Sequence, residues 1–233
     1  MFSLPRYRIV LFDADQTLLD FKRSEPAALT EALAVMGIDA DADMLNKYSE
    51  INDAIWKRLE RGEITKSDLK TARFAEFCNH YSLSLDVEKL AAQYLASLAT
   101  KSFLLDGALE VCRTLSQHCR LYIITNGIAA VQHGRLDRSP IRPYFQDVFI
   151  SDELGAQKPE KAFFERAFLR IPDFNVADAL IVGDSLSSDI RGGILMGIDT
   201  CWLNPCDAKA PDDMKITYTV KRLEDTVPLV LGT

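Results

Sequence analysis

The amino-acid sequence predicts an α/β protein with a doubly wound, mainly parallel, Rossmann-like sheet and an inserted all-helical domain. Short, nearly continuous apolar runs recur along the chain, as expected for strands buried on both faces of a parallel sheet. Helical patterns separate the later runs, and this alternation is typical of a doubly wound sheet. A long stretch of amphipathic helical patterns follows the first run and predicts the insertion.

The predicted elements of the α/β part alternate along the chain. The apolar runs predict strands at 8–12, 121–125, 148–151, 179–182, 200–203 and, as a candidate last strand, 216–220. The helical patterns between them lie at 107–117, 128–138, 159–171 and 189–196. Together these elements assign residues 1–17 and 100–233 to one α/β core, which is interrupted close behind its first strand.

The interrupting segment, residues 18–99, has the pattern of several amphipathic helices in succession. Thr65 and Asp86 are predicted N-caps, because their side-chain oxygens can accept hydrogen bonds from a first helical turn. Gly37 and Gly62 are predicted to end helices. We therefore expect the segment to form a helical domain of its own.

Composition narrows the class of protein. The chain has 233 residues, 48% of them hydrophobic, and a formal net charge of −7, which is typical of a folded protein and argues against a general nucleic-acid binder. Its apolar runs fall short of the roughly 20 residues that a membrane span requires. Five scattered cysteines without C-x-x-C spacing favour reduced, buried thiols. We therefore expect a cytoplasmic monomer or homodimer that binds neither nucleic acid nor membrane.

Polar side chains follow the predicted strands, at the edge of an open parallel sheet where ligands bind. Carboxylates come after the predicted strands at 8–12 and 179–182. A hydroxyl and an amide stand at the end of the predicted strand at 121–125, and a lysine lies in a loop. The residues concerned are Asp13, Asp15, Thr125, Asn126, Lys158, Asp184 and Asp189. Each short motif alone is explained by a turn or a helix cap, but four of them in this order at strand ends indicate a functional site.

These residue types suit phosphoryl transfer. Clustered carboxylates repel one another unless a cation lies among them, and oxygen ligands without histidine or cysteine suit Mg²⁺. Asp13 is then a candidate nucleophile that forms an aspartyl-phosphate, and Asp15 a candidate general acid and base. Thr125 and the backbone N–H of Asn126 are candidates to hold phosphoryl oxygens, while Lys158 neutralises their charge.

Four segments, 13–17 (DADQT), 125–127 (TNG), 158–159 (KP) and 183–189 (GDSLSSD), resemble the four motifs of the haloacid dehalogenase superfamily. Most members of that superfamily are Mg²⁺-dependent phosphatases, and the helical insert resembles the cap of its first subclass. One departure is Gln16, where many members carry glycine, and we expect it to have little effect.

The resemblance implies roles for individual residues. It implies Asp13 as nucleophile, Asp15 as general acid and base, and Thr125 and Lys158 as phosphate-binding residues. It also implies that Mg²⁺ is bound by Asp13, the backbone carbonyl of Asp15 and Asp184. Asp189 is implied to support this metal site.

The stretch 125–136 (TNGIAAVQHGRL) is similar to the branch of pyrimidine 5′-nucleotidases, so we expect a small phosphorylated metabolite, a nucleoside monophosphate, as substrate. Asp15 argues against a true dehalogenase, because that branch lacks the second aspartate. Alternatives are a sugar-phosphate phosphatase similar to N-acylneuraminate-9-phosphatases and a phosphoglucomutase-like transferase. A receiver-like signalling module fits the motif order less well.

The sequence indicates less about the residues that surround the site. Phe21 is a candidate to stack on a base, although packing in the hinge is the favoured interpretation. Arg135, Arg138 and Arg142 are expected on a solvated helix face. Aromatic residues at helical spacing within the insert are expected to form its core: Trp56, Phe74, Phe77 and Tyr81.

Overall fold

The computed structural model describes residues 5–233 of the chain. It divides into two compact units. The first comprises the chain up to Phe21 together with Ser102–Thr233, and the second is Lys22–Lys101. The insert predicted at 18–99 begins and ends a few residues earlier than the second unit.

A six-stranded sheet forms the centre of the first unit, with the strand order β3-β2-β1-β4-β5-β6 and parallel pairing throughout. Its strands are β1 (Ile9–Phe12), β2 (Arg120–Thr125), β3 (Phe145–Ile150), β4 (Ala179–Gly183), β5 (Asp199–Leu203) and β6 (Tyr218–Val220). This order is that of the Rossmann fold. The predicted doubly wound parallel sheet is therefore confirmed, including its candidate last strand.

Both faces of the sheet are covered, and β1 shows how. Val10 and Phe12 belong to one apolar cluster, and Ile9 and Leu11 belong to another. Successive side chains of a strand point to opposite faces, so a strand covered on both sides must be apolar at every position. This explains why the strand has a continuous apolar run instead of an alternating one.

The helices of the first unit cover the two faces of the sheet or connect its strands. They are α5 (Ala108–Leu115), α6 (Ala129–Asp137), α7 (Ser151–Leu154), α8 (Lys161–Phe168), α9 (Arg191–Met196) and α10 (Thr226–Leu231). The short helices α7 and α10 were not predicted; the four residues of α7 are too few to show a helical period.

Two predicted helices differ from the structure at their beginnings. The helix predicted from residue 159 begins at Lys161, so Pro159 precedes it instead of occupying its first turn. The helix predicted from residue 189 is α9, which begins at Arg191 and is preceded by a π-helical turn, Leu186–Ile190. Asp189 lies within this π-helical turn, which packs next to the end of β4.

The second unit consists of helices α2 (Ala42–Glu60), α3 (Lys66–His80), α4 (Val87–Leu98) and all of α1 (Phe21–Val35) but its first residue. Thr65 and Asp86 cap α3 and α4 as predicted, each accepting a hydrogen bond from a backbone N–H of the first turn. Asp41 caps α2 in the same way and was not predicted. Gly37 and Gly62 follow α1 and α2 with positive φ, as helix-ending glycines do.

Aromatic rings form the interior of this helical unit. Phe74 and Phe77 are fully buried and pack with Tyr48, which confirms them as core residues, whereas Trp56 and Tyr81 are half-buried. No helix in residues 5–233 is long and apolar enough to cross a membrane. All five cysteines are free; four are buried as predicted, and Cys206 is exposed.

Candidate active site

The polar residues predicted to form a site lie where the strand order of the sheet reverses. Strands β2 and β3 lie on one side of β1, and strands β4, β5 and β6 lie on the other side. Asp13 directly follows β1, and Asp184 directly follows β4, so both lie at the reversal between these adjacent strands. In open α/β sheets this is the crevice where ligands bind.

A buried ion-pair cluster lies at this point, and Lys158 is its centre. The Nζ atom of Lys158 donates hydrogen bonds to Asp13 Oδ1 at 2.6 Å, to Asp189 Oδ1 at 2.7 Å and to the backbone oxygen of Ile124 at 2.8 Å. Lys158 is only 1% exposed. The structure thus brings together three predicted site residues from widely separated parts of the chain.

The carboxylates of the cluster are crowded. Burial raises the pKa of Asp13 well above its usual range, and the charges of Asp189 and Asp184 add to this against the opposing effect of Lys158. Burial, with the charge of Asp189, raises the pKa of Asp184 to about 7. The pKa of Lys158 is lowered by burial but raised by Asp13 and Asp189, and the net direction is upward, so Lys158 stays an ammonium ion.

Asp13, Asp184 and Asp189 are placed to hold a cation. Each offers a carboxylate oxygen, and these three oxygens lie within 4.8 Å of one another. Hard carboxylate oxygens at this spacing, with negative charge in excess of the lysine, fit a small divalent ion such as Mg²⁺. A bound cation would relieve the repulsion that raises the pKa values of Asp13 and Asp184.

Neighbouring groups fix the positions of two of these aspartates. The backbone N–H of Ser185 donates to Asp189 Oδ2 at 3.1 Å, and the indole N–H of Trp202 donates to the backbone oxygen of Asp184 at 2.8 Å. A Cβ atom on Gly183 would lie 2.3 Å from Asp189 Oδ2. Glycine is therefore required at the end of β4 for Asp189 to approach.

The side chain of Asn126 connects the loop after β2 to the loop that carries the lysine. Its Nδ2 donates to the backbone oxygen of Lys158 at 2.9 Å, and its Oδ1 accepts from the backbone N–H of Lys158 at 2.8 Å. Asn126 thus holds the main chain of Lys158. The phosphate contact predicted at Asn126 remains a prediction for its own backbone N–H.

Thr125 and Asp15 share a hydrogen-bond partner that was not predicted, the side chain of Gln132 on α6. Gln132 Nε2 donates to Thr125 Oγ1 and to Asp15 Oδ2, both at 2.8 Å. Thr125 Oγ1 also accepts from the backbone N–H of Gly127 at 3.1 Å. The hydroxyl predicted to bind phosphate therefore lies beside the carboxylate predicted to move protons.

The prediction that Arg135 lies on a solvated helix face is wrong. Arg135 is 1% exposed, and its guanidinium forms an ion pair with Asp15 Oδ1 and lies 5.9 Å from the ring of Phe21. Arg138, at the end of α6, is exposed, and Arg142 is half-buried outside this helix. Gln132 and Arg135 are three residues apart and therefore share one face of the helix. This spacing is the feature of the sequence that could have predicted that they act together.

Comparisons with known proteins identify the family of this chain. The model of the haloacid dehalogenase-like hydrolase family matches residues 7–197, which include every residue of the predicted site. The chain belongs to the haloacid dehalogenase-like hydrolase family. Its predicted class, an enzyme that hydrolyses its substrate, is thereby confirmed.

Several relatives of this hydrolase match over almost their whole length. Pyrimidine 5′-nucleotidase PynA of Streptococcus pneumoniae is 39% identical, covering 94% of this chain and 93% of PynA. Pyrimidine 5′-nucleotidase YjjG of Escherichia coli is 31% identical, and the match covers 95% of this chain and 96% of YjjG. These relatives support the branch that the sequence predicted.

A solved structure of a relative shows the same fold. The HAD-hydrolase YfnB of Bacillus subtilis, in a crystal form bound to magnesium, is 38% identical to this hydrolase. The two superimpose with a TM-score of 0.92, covering 97% of this chain and 99% of YfnB.

Proposed function

We propose that this hydrolase is a Mg²⁺-dependent phosphomonoesterase that acts through an aspartyl-phosphate on nucleoside 5′-monophosphates, with pyrimidine nucleotides as the favoured class. The observation that carries the proposal is the position of Asp13, at the end of β1 and hydrogen-bonded to the buried Lys158. The relatives named pyrimidine 5′-nucleotidases support the substrate class.

In this proposal the carboxylate of Asp13 attacks phosphorus, and the bond from phosphorus to the ester oxygen breaks. Asp15 gives its proton to the departing alcohol oxygen, and then takes a proton from the water that attacks the aspartyl-phosphate. The products are the alcohol and inorganic phosphate, and Asp13 is regenerated. Asp15 is suited to both steps because its side chain is only half-buried, beside the buried Asp13.

The phosphoryl group would be held by the residues around Asp13. Lys158 supplies positive charge, and the hydroxyl of Thr125 with the backbone N–H of Asn126 supplies hydrogen-bond donors. Thr125 is fixed by Gln132, and Lys158 by Asn126, so these groups are oriented before a substrate binds. Preorganised donors of this kind stabilise the charge that develops during phosphoryl transfer.

The proposed metal ligands are Asp13, Asp184 and the backbone carbonyl of Asp15, with Asp189 in support. Bound Mg²⁺ would supply positive charge that lets a phosphate dianion approach Asp13 and that stabilises its transfer. The magnesium-bound crystal form of YfnB supports this choice of ion. The buried free cysteines support a reducing compartment such as the cytoplasm.

We assign the helical unit, Lys22–Lys101, the role of the family's cap, which the resemblance predicts to select the substrate. The test of the substrate class is phosphate release in Mg²⁺ from a panel of nucleoside 5′-monophosphates and sugar phosphates. The proposal expects the highest kcat/KM with UMP, dUMP or dTMP. Higher values with hexose or sialic acid phosphates would replace the nucleotidase assignment with a sugar-phosphate phosphatase.

A further inference from the structure

Two buried polar side chains of α6 converge on Asp15. Gln132 Nε2 donates to Asp15 Oδ2 at 2.8 Å, and the guanidinium of Arg135 pairs with Asp15 Oδ1. Arg135 also donates to Gln132 Oε1 at 3.2 Å. Each carboxylate oxygen of Asp15 therefore has its own donor, and the two donors are hydrogen-bonded to each other.

The burial of this pair is not explained by the packing of α6 alone. Both Gln132 and Arg135 are 1% exposed. A buried guanidinium is costly unless it is paired, and an arginine side chain is long enough to reach solvent from most helix positions. Arg138, three residues further on, is exposed. Arg135 is instead directed inward, to the one side chain to which the proposed reaction assigns proton transfer.

Gly127 provides the space for this arrangement. A Cβ atom at position 127 would lie 2.5 Å from Gln132 Nε2 and 2.6 Å from Gln132 Cγ. The φ angle of Gly127 lies outside the positive region that favours glycine. The close approach of Gln132, and not the backbone conformation, is therefore the reason for glycine here.

We propose that Gln132 and Arg135 are positioning residues for Asp15, holding its carboxyl group beside Thr125, where its acid form gives a proton to the leaving oxygen and becomes the carboxylate. The inference rests on the proposed function, because it assumes that Asp15 is the general acid. Gln132 also binds the hydroxyl of Thr125, so it sets the distance between the proton-transferring group and a group assigned to bind phosphate. A misplaced acid loses much of its effect even when the fold is intact.

The test compares two aryl esters that differ in their need for an acid. p-Nitrophenolate is a weak base and leaves without a proton, whereas phenolate is a stronger base and leaves more readily when protonated. We expect Gln132→Leu and Arg135→Met to lower kcat/KM for phenyl phosphate about 10-fold more than for p-nitrophenyl phosphate, a fraction of what a general acid contributes. Since kcat/KM covers only the steps up to departure of the leaving group, the later hydrolysis does not enter. Gly127→Ala should act in the same way.

Arg138→Gln is the matched control, because it removes an exposed arginine from the end of the same helix and should leave both values unchanged. Asp15→Asn should give the largest selective loss for phenyl phosphate. Adding Gln132→Leu to Asp15→Asn should then change the ratio of the two esters no further, because Gln132 acts through Asp15.

Equal losses with both esters, or losses that add to those of Asp15→Asn, would show that Gln132 and Arg135 only support the fold and would overturn the inference. The melting temperatures of the variants show whether any of them unfolds. If the apolar variants unfold, Gln132→Asn and Arg135→Lys replace them in the test, because each keeps a hydrogen-bond donor. These conservative variants should show the same selectivity in weaker form. A wild-type protein that releases phosphate from neither ester would overturn the proposed function itself, and this inference with it.

Discussion

At the scale of single residues, the site depends on a lysine that is charged in the interior. Lys158 is buried between Asp13 and Asp189, and its attraction to both outweighs the effect of burial on its pKa. The same contacts orient Asp13, whose other carboxylate oxygen is the proposed nucleophile. Positions within this cluster are therefore tightly coupled, and a change of charge at any of them alters the rest.

Asp13→Asn should abolish turnover while the protein stays folded. The amide keeps the shape of the side chain but is a poor nucleophile, so we expect kcat to fall on the order of 10³-fold or more. Phosphate release from p-nitrophenyl phosphate and circular dichroism measure the two effects. Asp147→Asn, which removes the half-buried ion-pair partner of Arg170, is the control and should keep full activity. Wild-type turnover by Asp13→Asn would show that another group is the nucleophile.

At the scale of elements, helix ends and buried polar contacts hold the helical unit together. Thr65 forms a capping box with Asp68 at the beginning of α3. Deeper in the unit, Asn52 donates to Glu25 Oε1 at 2.7 Å and accepts from Arg73 at 2.8 Å, which connects α1, α2 and α3. Specific hydrogen bonds therefore fix the relative positions of helices whose remaining contacts are largely apolar.

Thr65→Ala should destabilise the protein by about 1 kcal/mol, because it removes the side-chain acceptor for the first turn of α3. Urea denaturation monitored by circular dichroism measures the change in the free energy of unfolding. Ser67→Ala, an exposed position in the first turn of the same helix, is the control and should stay close to wild type. Equal stability of Thr65→Ala and the control would contradict the capping role.

Glu25 should make stability depend on pH. Burial raises its pKa in the folded protein. The folded state therefore binds more protons than the unfolded state at pH values between the usual glutamate pKa, about 4.3, and the raised one. In this window the contribution of Glu25 to the free energy of unfolding falls as pH rises, and above it the loss is complete.

Glu25→Gln should remove this dependence, because glutamine does not titrate. The measurement is the difference between the free energies of unfolding at low and neutral pH, which should favour neutral pH more in Glu25→Gln than in wild type. Glu76→Gln replaces an exposed glutamate of α3 and is expected to leave the wild-type difference unchanged. An identical pH dependence in wild type and Glu25→Gln would refute the assignment.

At the scale of the whole molecule, the order of the strands brings the site together. The sheet order places β1 next to both β2 and β4. The carboxyl ends of these three strands are far apart in sequence, yet they bring Thr125, the last residue of β2, to the same edge of the sheet as Asp13 and Asp184, which directly follow β1 and β4. Metal binding there is expected to be coupled to global stability, because only the folded chain assembles the carboxylates.

Mg²⁺ should raise the melting temperature of the protein. A ligand that binds only the folded state stabilises it by about 2.7 kcal/mol at 100 times its dissociation constant. A chelator should abolish both this stabilisation and activity, and added Mg²⁺ should restore them. Asp184→Asn should weaken the Mg²⁺-dependent shift in melting temperature, whereas Asp147→Asn should keep it. A full shift in Asp184→Asn would remove that residue from the proposed ligands.

The fold class and most members of the candidate site could be predicted from the amino-acid sequence. Continuous apolar runs are required of strands buried on both faces, so they identified the parallel sheet, and the helical period identified the insert. The motifs at the strand ends selected Asp13, Thr125 and Asp184 because ligands bind at that edge of such a sheet.

The pairing of the site residues could not be predicted from the sequence and is seen only in the folded protein. That Lys158 lies between Asp13 and Asp189, and that Arg135 is buried against Asp15, depends on segments distant along the chain. An arginine on a helix looks the same in the sequence whether it faces solvent or a carboxylate, because a local pattern contains no information about its distant partner. Pairing is a long-range property, and the folding of the sheet establishes it.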